Sequence, residues 1–166
     1  IEHGSLMDEE SAEMFEQTGT YLVPTFSPFH EAIYPDPKKM AQKSPEFQRK
    51  LGIYQERMQK GRKIIVDSHI KLGYGTDFVA NHQNYESGYE YEAWMSSGMH
   101  PFAALKAATS VNADILQLSD QIGTLEPGKL ADISAWKRDL MQDKKALLDC
   151  AFVMKEGIQY QTESCL

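Results

Sequence analysis

The sequence has little cysteine, no excess of positive charge and no long apolar run, and each shortage argues against a class of protein. Its 166 residues include two cysteines, Cys150 and Cys165, whose spacing suits neither a disulfide framework nor a cysteine-ligated metal. The net charge of −7 argues against a protein that binds the phosphate backbone of nucleic acids. Every apolar run is shorter than the ~18 residues that span a bilayer. We therefore expect a cytoplasmic protein with reduced thiols and without nucleic-acid or membrane partners.

The composition is that of a folded domain, with 42% hydrophobic and 25% charged residues. Asp8 predicts the start of a first helix with Ala12, Phe15 and Met14 buried, and Gly19 predicts its end. The β-forming residues of 20–26 predict a strand that Pro24 weakens, because proline lacks a ladder donor. The proline-rich segment 27–44 predicts a loop with one helical turn.

The middle of the chain predicts a long helix followed by the end of a strand. Ser44 is a good helix cap and Pro45 a good first residue, and apolar residues then recur at helical spacing until Gly73. Residues 74–81 are typical of a strand end and its loop, with Asp77 at the tip. This alternation of strands and helices favours an α/β fold with parallel strands.

The predicted secondary structure changes from helices to short β segments near residue 119. Residues 85–97 and a segment that begins at Pro101 predict two further helices. Short β segments follow, and Glu156–Gly157 predicts a hairpin turn. We therefore predict two domains, comprising residues 1–118 and 119–166.

Two short motifs carry candidate chemistry, and each follows a predicted strand. They are Ile-Glu-His-Gly at 1–4 and Gly-Thr-Asp at 75–77. Active-site groups of a parallel barrel gather at this end of its strands. His3 and Asp77 are therefore candidate metal ligands, since imidazole and carboxylate both suit zinc, and an aspartate can also act as a general base. His82 lies in the same loop as Asp77 and could reach a substrate.

Taken one at a time, these residues have ordinary explanations. A single histidine after a strand is more often a capping or packing residue, and an aspartate after Gly-Thr often caps the next helix. His82 has the alternative interpretation of an exposed loop histidine. The aromatic residues Phe26, Phe29 and Tyr34 could line a substrate pocket or simply pack the long loop.

Taken together, the motifs resemble one family in their order and spacing. The first is the segment at 1–4, and it is followed by Leu-Val-Pro-Thr at 22–25, Gly-Thr-Asp at 75–77 and the helical segment 98–118. The most specific is Gly-x-Leu-Glu-Pro-Gly-Lys-x-Ala-Asp at 123–132. The chain resembles the carboxyl-terminal part of a metal-dependent amidohydrolase, of the imidazolonepropionase-like or Xaa-Pro dipeptidase (prolidase) branch.

The resemblance implies a fold and a metal site. The family fold is a (β/α)8 TIM barrel beside a small composite β-sandwich, and this chain would supply strands six to eight with their helices and part of the sandwich. His3 matches the strand-six metal histidine. Asp77 matches the strand-eight aspartate that binds metal and accepts the proton of the attacking water. His82 matches a substrate-binding histidine, although Gln83 replaces the usual glycine. The complete enzyme would hold one or two divalent ions, with zinc expected.

The sequence also departs from the family pattern. It contains no His-x-His pair, and no earlier strand could supply the lysine ligand. We therefore expect a fragment whose partner is the missing amino-terminal half of the same enzyme, and which alone neither holds metal tightly nor catalyses. The expected reaction is hydrolysis of amide (C–N) bonds in a dipeptide or a cyclic amide. A non-catalytic remnant that serves as a binding or scaffolding module is the alternative, and the sequence leaves homo-oligomerisation open.

Overall fold

The computed structural model describes residues 1–77 and 88–160, without the side chains of Glu31 and Ala32. The chain divides into two compact units, Ile1–Asp77 and Phe78–Leu166. None of the helices in the described ranges is both long enough and apolar enough to cross a membrane. The predicted boundary between residues 118 and 119 stays a prediction.

Parallel strands organise the first unit. Strand β1 (Tyr21–Leu22) pairs in parallel with β2 (Lys71–Leu72), and Glu2 forms a parallel bridge to Val23 on the other side of β1. Backbone hydrogen bonds extend this bridge, with Val23 N donating to Ile1 O at 2.9 Å and His3 N donating to Val23 O at 3.0 Å. The carboxyl ends of all three segments therefore lie at one edge of the sheet, with β1 in the middle.

Four helices accompany these strands: α1 (Glu9–Thr18), α2 (Ser27–Ile33), α3 (Pro37–Met40) and α4 (Pro45–Asp67). Helix α1 has the predicted Asp8 cap, whose carboxylate accepts a hydrogen bond from Ser11 N at 2.9 Å, and it ends at a left-handed Gly19. Helix α4 contacts both α1 and α2. It buries Met58 and Ile65 in the core of this unit.

Several element predictions for this unit are corrected. The strand expected at 20–26 is two residues long, and the segment 27–44 holds two helices in place of one turn. The long helix ends at Asp67 and not near Gly73, so β2 lies within the range that was predicted to be helical. Met14, which was expected to be buried, is 59% exposed.

The second unit combines short helices with a small antiparallel sheet. Helix α5 (Gly88–Ser96) buries Ala93 and Trp94. The helix that begins at Pro101 comprises α6 (Pro101–Lys106), a π-helical turn (Ala107–Val111) and α7 (Asn112–Ile115). A short 3-10 helix (Ala146–Leu148) contacts α5.

The sheet of the second unit has the order β3-β4-β5, with β3 at Ile133–Trp136, β4 at Cys150–Lys155 and β5 at Ile158–Tyr160. Both pairings are antiparallel. The hairpin predicted at Glu156–Gly157 is confirmed, and both turn residues have positive φ, at 52° and 80°. Asp132 holds this turn, because its carboxylate accepts hydrogen bonds from Glu156 N at 2.8 Å and Lys155 Nζ at 2.7 Å.

Candidate metal and active site

His3 lies at the carboxyl edge of the parallel strands in a left-handed backbone conformation. Its φ is 69°, and Gly4 follows with a φ of 63°. The turn is held by hydrogen bonds from Gly4 N to Glu2 O and from Met7 N to Gly4 O, each 3.0 Å long. Because the strand ends in this turn, His3 belongs to the loop above the sheet edge, and its side chain is exposed.

The imidazole of His3 is tied to the middle strand. Its Nδ1 lies 2.9 Å from Oγ1 of Thr25, three residues beyond the end of β1. Thr25 is 6% exposed, so the hydroxyl that meets the ring is part of the packed interior. With Nδ1 engaged, Nε2 is the ring nitrogen that can bind a metal.

Asp77 lies beyond β2 at the same edge of the sheet, on the other side of β1 from His3. It has a left-handed φ of 49°, and its side chain is exposed. A Cβ on Gly75, two residues earlier, would lie 2.8 Å from a methyl group of Val23. The chain that leads to Asp77 therefore passes close against the extension of β1.

The left-handed backbone singles out both candidate ligands. Within residues 1–77 and 88–160, four residues other than glycine have positive φ: His3, Asp77, Gln117 and Glu156. Gln117 follows the end of α7 and Glu156 is a hairpin-turn residue, so ordinary turns explain those two. The other two, His3 and Asp77, follow the two segments that pair in parallel with β1 and its extension. Such strained residues cluster at functional sites and persist only where the surrounding structure enforces them.

A buried arginine on helix α4 contacts the chain just beyond Thr25. Arg62 of α4 is 4% exposed, and its Nη2 donates a hydrogen bond to Phe26 O at 2.8 Å. Its Nη1 lies 3.1 Å from Nδ1 of His30, and its guanidinium lies 4.3 Å from the centre of the Phe26 ring. Arg62 also lines a cavity of about 10 Å³ together with His3 and Thr25. The helix is thereby anchored to the strand end that contacts His3.

The three aromatic residues considered as pocket walls lie in three different surroundings. Phe26 is 3% exposed and lies beneath Arg62, so it packs the interior. Phe29 is 38% exposed and lines the small cavity beside His3. Tyr34 is 47% exposed and lines a separate cleft of about 250 Å³ with Lys43 and Phe47.

Comparison with known proteins gives one family and several solved structures. The family model described as "Amidohydrolase family" matches residues 1–162. The chain belongs to the amidohydrolase family. No curated protein matches the chain. The resemblance stated from the sequence motifs is thus confirmed.

The solved structures include three amidohydrolase relatives of at least 25% identity. A Xaa-Pro dipeptidase with bound methionine in its active site is 30% identical with a TM-score of 0.81, over 98% of this chain and 39% of that chain. A putative prolidase from Bifidobacterium longum is 26% identical with a TM-score of 0.78, over 99% of this chain and 42% of that chain. An ochratoxinase of A. niger is 25% identical with a TM-score of 0.76, over 95% and 36%.

The chain therefore spans about two fifths of the length of these structures. This confirms the predicted fold class, because the α/β chain matches part of an amidohydrolase fold with its barrel and small sheet domain.

The donor types present fit a divalent metal, but the set is small. His3 offers an imidazole nitrogen and Asp77 a carboxylate, which are both zinc ligands. The described ranges contain no cluster of three or more His, Cys, Asp or Glu residues able to hold a metal ion. His82 lies outside the described residues. The metal and substrate roles of these three residues stay predictions.

Thr25 and Arg62 were missed by the sequence interpretation. Thr25 was noted only as part of a strand and of the Leu-Val-Pro-Thr motif at 22–25, and Arg62 lay unremarked in a predicted helix. Thr25 could have been found by its position, since a polar residue at the carboxyl end of the strand next to His3 is placed to reach that ring. Arg62 gives no comparable signal, because its partner Phe26 lies 36 residues away.

Proposed function

We propose that this chain forms the carboxyl-terminal part of a metal-dependent enzyme that hydrolyses amide bonds. The proposed substrate is a dipeptide cleaved as by a prolidase, with a cyclic amide as the second choice. The family membership supports the hydrolase class, and the two prolidase-type relatives support the substrate class. The remaining metal ligands would come from the amino-terminal part of the same enzyme, which would be the partner of this chain.

The observation that carries the proposal is the backbone of His3 and Asp77. Both adopt left-handed φ at the carboxyl edge of one parallel sheet. Asp and His adopt this conformation more often than most other non-glycine residues, and residues held in it are enriched at functional sites. The shared edge supports the proposal, because His3 and Asp77 carry groups of two types that bind divalent metals.

The roles of the residues follow from their chemistry. His3 would hold a divalent ion, expected to be zinc, through Nε2, and Asp77 would hold it through a carboxylate oxygen. The ion would polarise the substrate carbonyl when bound. Asp77 would also accept the proton of the attacking water and return it to the leaving amine.

The test uses the full-length enzyme and an Asp77→Asn variant. We expect kcat for dipeptide hydrolysis to fall by about 10²–10⁴-fold, because asparagine cannot accept the proton. Asp120→Asn is the matched control, since Asp120 is an exposed aspartate of the second unit. Turnover of Asp77→Asn within a few-fold of wild type would refute the role of Asp77.

The alternative function is a binding or scaffolding module without catalysis. It is favoured by the small ligand set of the described residues, which falls short of the three protein ligands of a catalytic zinc site. The two functions differ in one measurement. A full-length protein that binds zinc and hydrolyses a panel of dipeptides and cyclic amides excludes the module. A protein that shows neither property excludes the enzyme.

A further inference from the structure

Thr25 is placed to act on His3 from a rigid position. Its hydroxyl lies 2.9 Å from Nδ1 of the ring, while Thr25 itself is only 6% exposed. Pro24 before it is fully buried, and the carbonyl of Phe26 after it accepts a hydrogen bond from Arg62. A β-branched side chain has few χ1 rotamers, so the hydroxyl is held in one direction.

The bond between Thr25 and His3 decides the chemical form of the ring. A neutral imidazole carries one N–H and one lone pair. If Nδ1–H donates to the threonine oxygen, the lone pair is on Nε2 and points away from the strand. If the hydroxyl donates to Nδ1, Nε2 carries the hydrogen and cannot bind a metal. Metal-binding histidines almost always donate their other N–H to an acceptor in the protein.

We infer that Thr25 is a positioning residue for His3, whose hydroxyl accepts the Nδ1–H bond and so keeps the lone pair on Nε2. The inference rests on the proposed function, because it takes His3 to be a metal ligand. It adds a residue that acts through His3, from the neighbouring strand. The exposed His3 ring obtains its orientation from the interior and not from its own loop.

The experiment compares substitutions at Thr25 in the full-length protein. Thr25→Val keeps the shape of the side chain and removes the hydroxyl, whereas Thr25→Ser keeps the hydroxyl and removes the methyl group. Thr20→Val is the matched control, since it removes a hydroxyl from the opposite end of the same strand, where Thr20 bonds to Thr18 at 2.8 Å. Thr25→Ala provides a second hydroxyl-free variant if Thr25→Val does not fold.

Two readouts separate a positioning role from a structural one. Competition titration with zinc is expected to show affinity about 10–100-fold weaker for Thr25→Val, and near wild type for Thr25→Ser and Thr20→Val. Nitrogen-15 NMR of the zinc-free protein is expected to show Nδ1–H on His3 in wild type and Thr25→Ser. In Thr25→Val we expect this preference to be lost.

The outcomes distinguish this inference from the proposed function. If wild type binds zinc and Thr25→Val binds it within a few-fold as tightly, the inference is wrong and the metal site stands. If the His3 hydrogen is on Nε2 in zinc-free wild type, the inference is also wrong. If wild type binds no zinc while the ring tautomer still depends on the Thr25 hydroxyl, the proposed function fails and the role of Thr25 in holding the ring stands.

Discussion

The two glycines within helix α4 predict different effects of the same substitution. A Cβ on Gly61 would lie 2.8 Å from Met7 N, 3.0 Å from Met7 O and 3.1 Å from Ser5 O. These are backbone atoms of the loop that follows His3, so no side chain can rotate away. A Cβ on Gly52 would meet nothing within 4 Å.

The magnitudes follow from two contributions. Replacing a helical glycine by alanine stabilises the folded state by about 1 kcal/mol, because alanine loses less backbone entropy. Gly52→Ala shows this contribution alone. Gly61→Ala adds an overpacking cost of about 1–3 kcal/mol, since the loop must move or the helix must shift. The difference in free energy of unfolding between the two variants should therefore equal the overpacking cost, because the helix contribution cancels.

Urea unfolding of both variants of the full-length protein measures this difference. We also expect zinc affinity to fall in Gly61→Ala and not in Gly52→Ala, since the displaced loop begins directly after His3 and Gly4. Equal stabilisation of the protein by both substitutions would refute the close approach of α4 to residues 5–7. A destabilised Gly61→Ala with unchanged zinc affinity would refute its coupling to His3.

Two further predictions concern Arg62 and Asp132. Arg62→Lys should lower the free energy of unfolding by about 1.5–3 kcal/mol, because lysine lacks the planar guanidinium that donates to Phe26 O. Arg57→Lys, on the exposed face of α4, is the control and should change the stability little. Equal melting temperatures of the two variants would contradict this prediction. The hydrogen bond from Lys155, followed by that from Glu156 N, lowers the pKa of Asp132 below its ordinary value. The ionised Asp132 carboxylate therefore stabilises the fold fully above about pH 4, and this stabilisation is lost as the pH falls through the lowered pKa. In Asp132→Asn the melting temperature should accordingly fall less steeply at acidic pH than in wild type. Identical acidic slopes of melting temperature against pH would contradict this.

Local signals in the sequence predicted the parts of the fold that depend on neighbouring residues. Asp8 and Gly19 mark the ends of α1, because a cap and a left-handed glycine act within one helical turn. The hairpin at Glu156–Gly157 is equally local. The positions of His3 and Asp77 at strand ends were predicted from short motifs, although the structure places the second strand a few residues earlier.

The errors arose where two patterns compete. Apolar spacing continues from α4 into β2, so periodicity alone extended the helix to Gly73, while the chain leaves it after Asp67. The proline-rich segment holds helices α2 and α3 because Pro28 and Pro37 lie in their first turns, where a missing N–H costs nothing. A count of prolines cannot distinguish this arrangement from a loop.

The bonds that shape the candidate site join distant residues, so the sequence could at most place Thr25 near His3 by its position at a strand end. It gave no indication of the bond between Arg62 and Phe26. Thr25 meets His3 across 22 positions, and Arg62 meets Phe26 across 36. Only the parallel pairing of β1 with its neighbours and the packing of α4 bring these groups together. No sequence pattern around Thr25 or Arg62 identifies the residue that each of them contacts.

The backbone of His3 is held in place by contacts within the chain itself. A non-glycine residue in a strained region costs about 1–3 kcal/mol and persists only where its surroundings determine it. Here Val23 O accepts the hydrogen bond of His3 N, the hydroxyl of Thr25 meets the ring, and α4 closes on the following loop at Gly61. These three restraints come from different elements of one compact unit. The strain at His3 is therefore held by packing within the compact unit Ile1–Asp77, which also contains Asp77, the other proposed ligand.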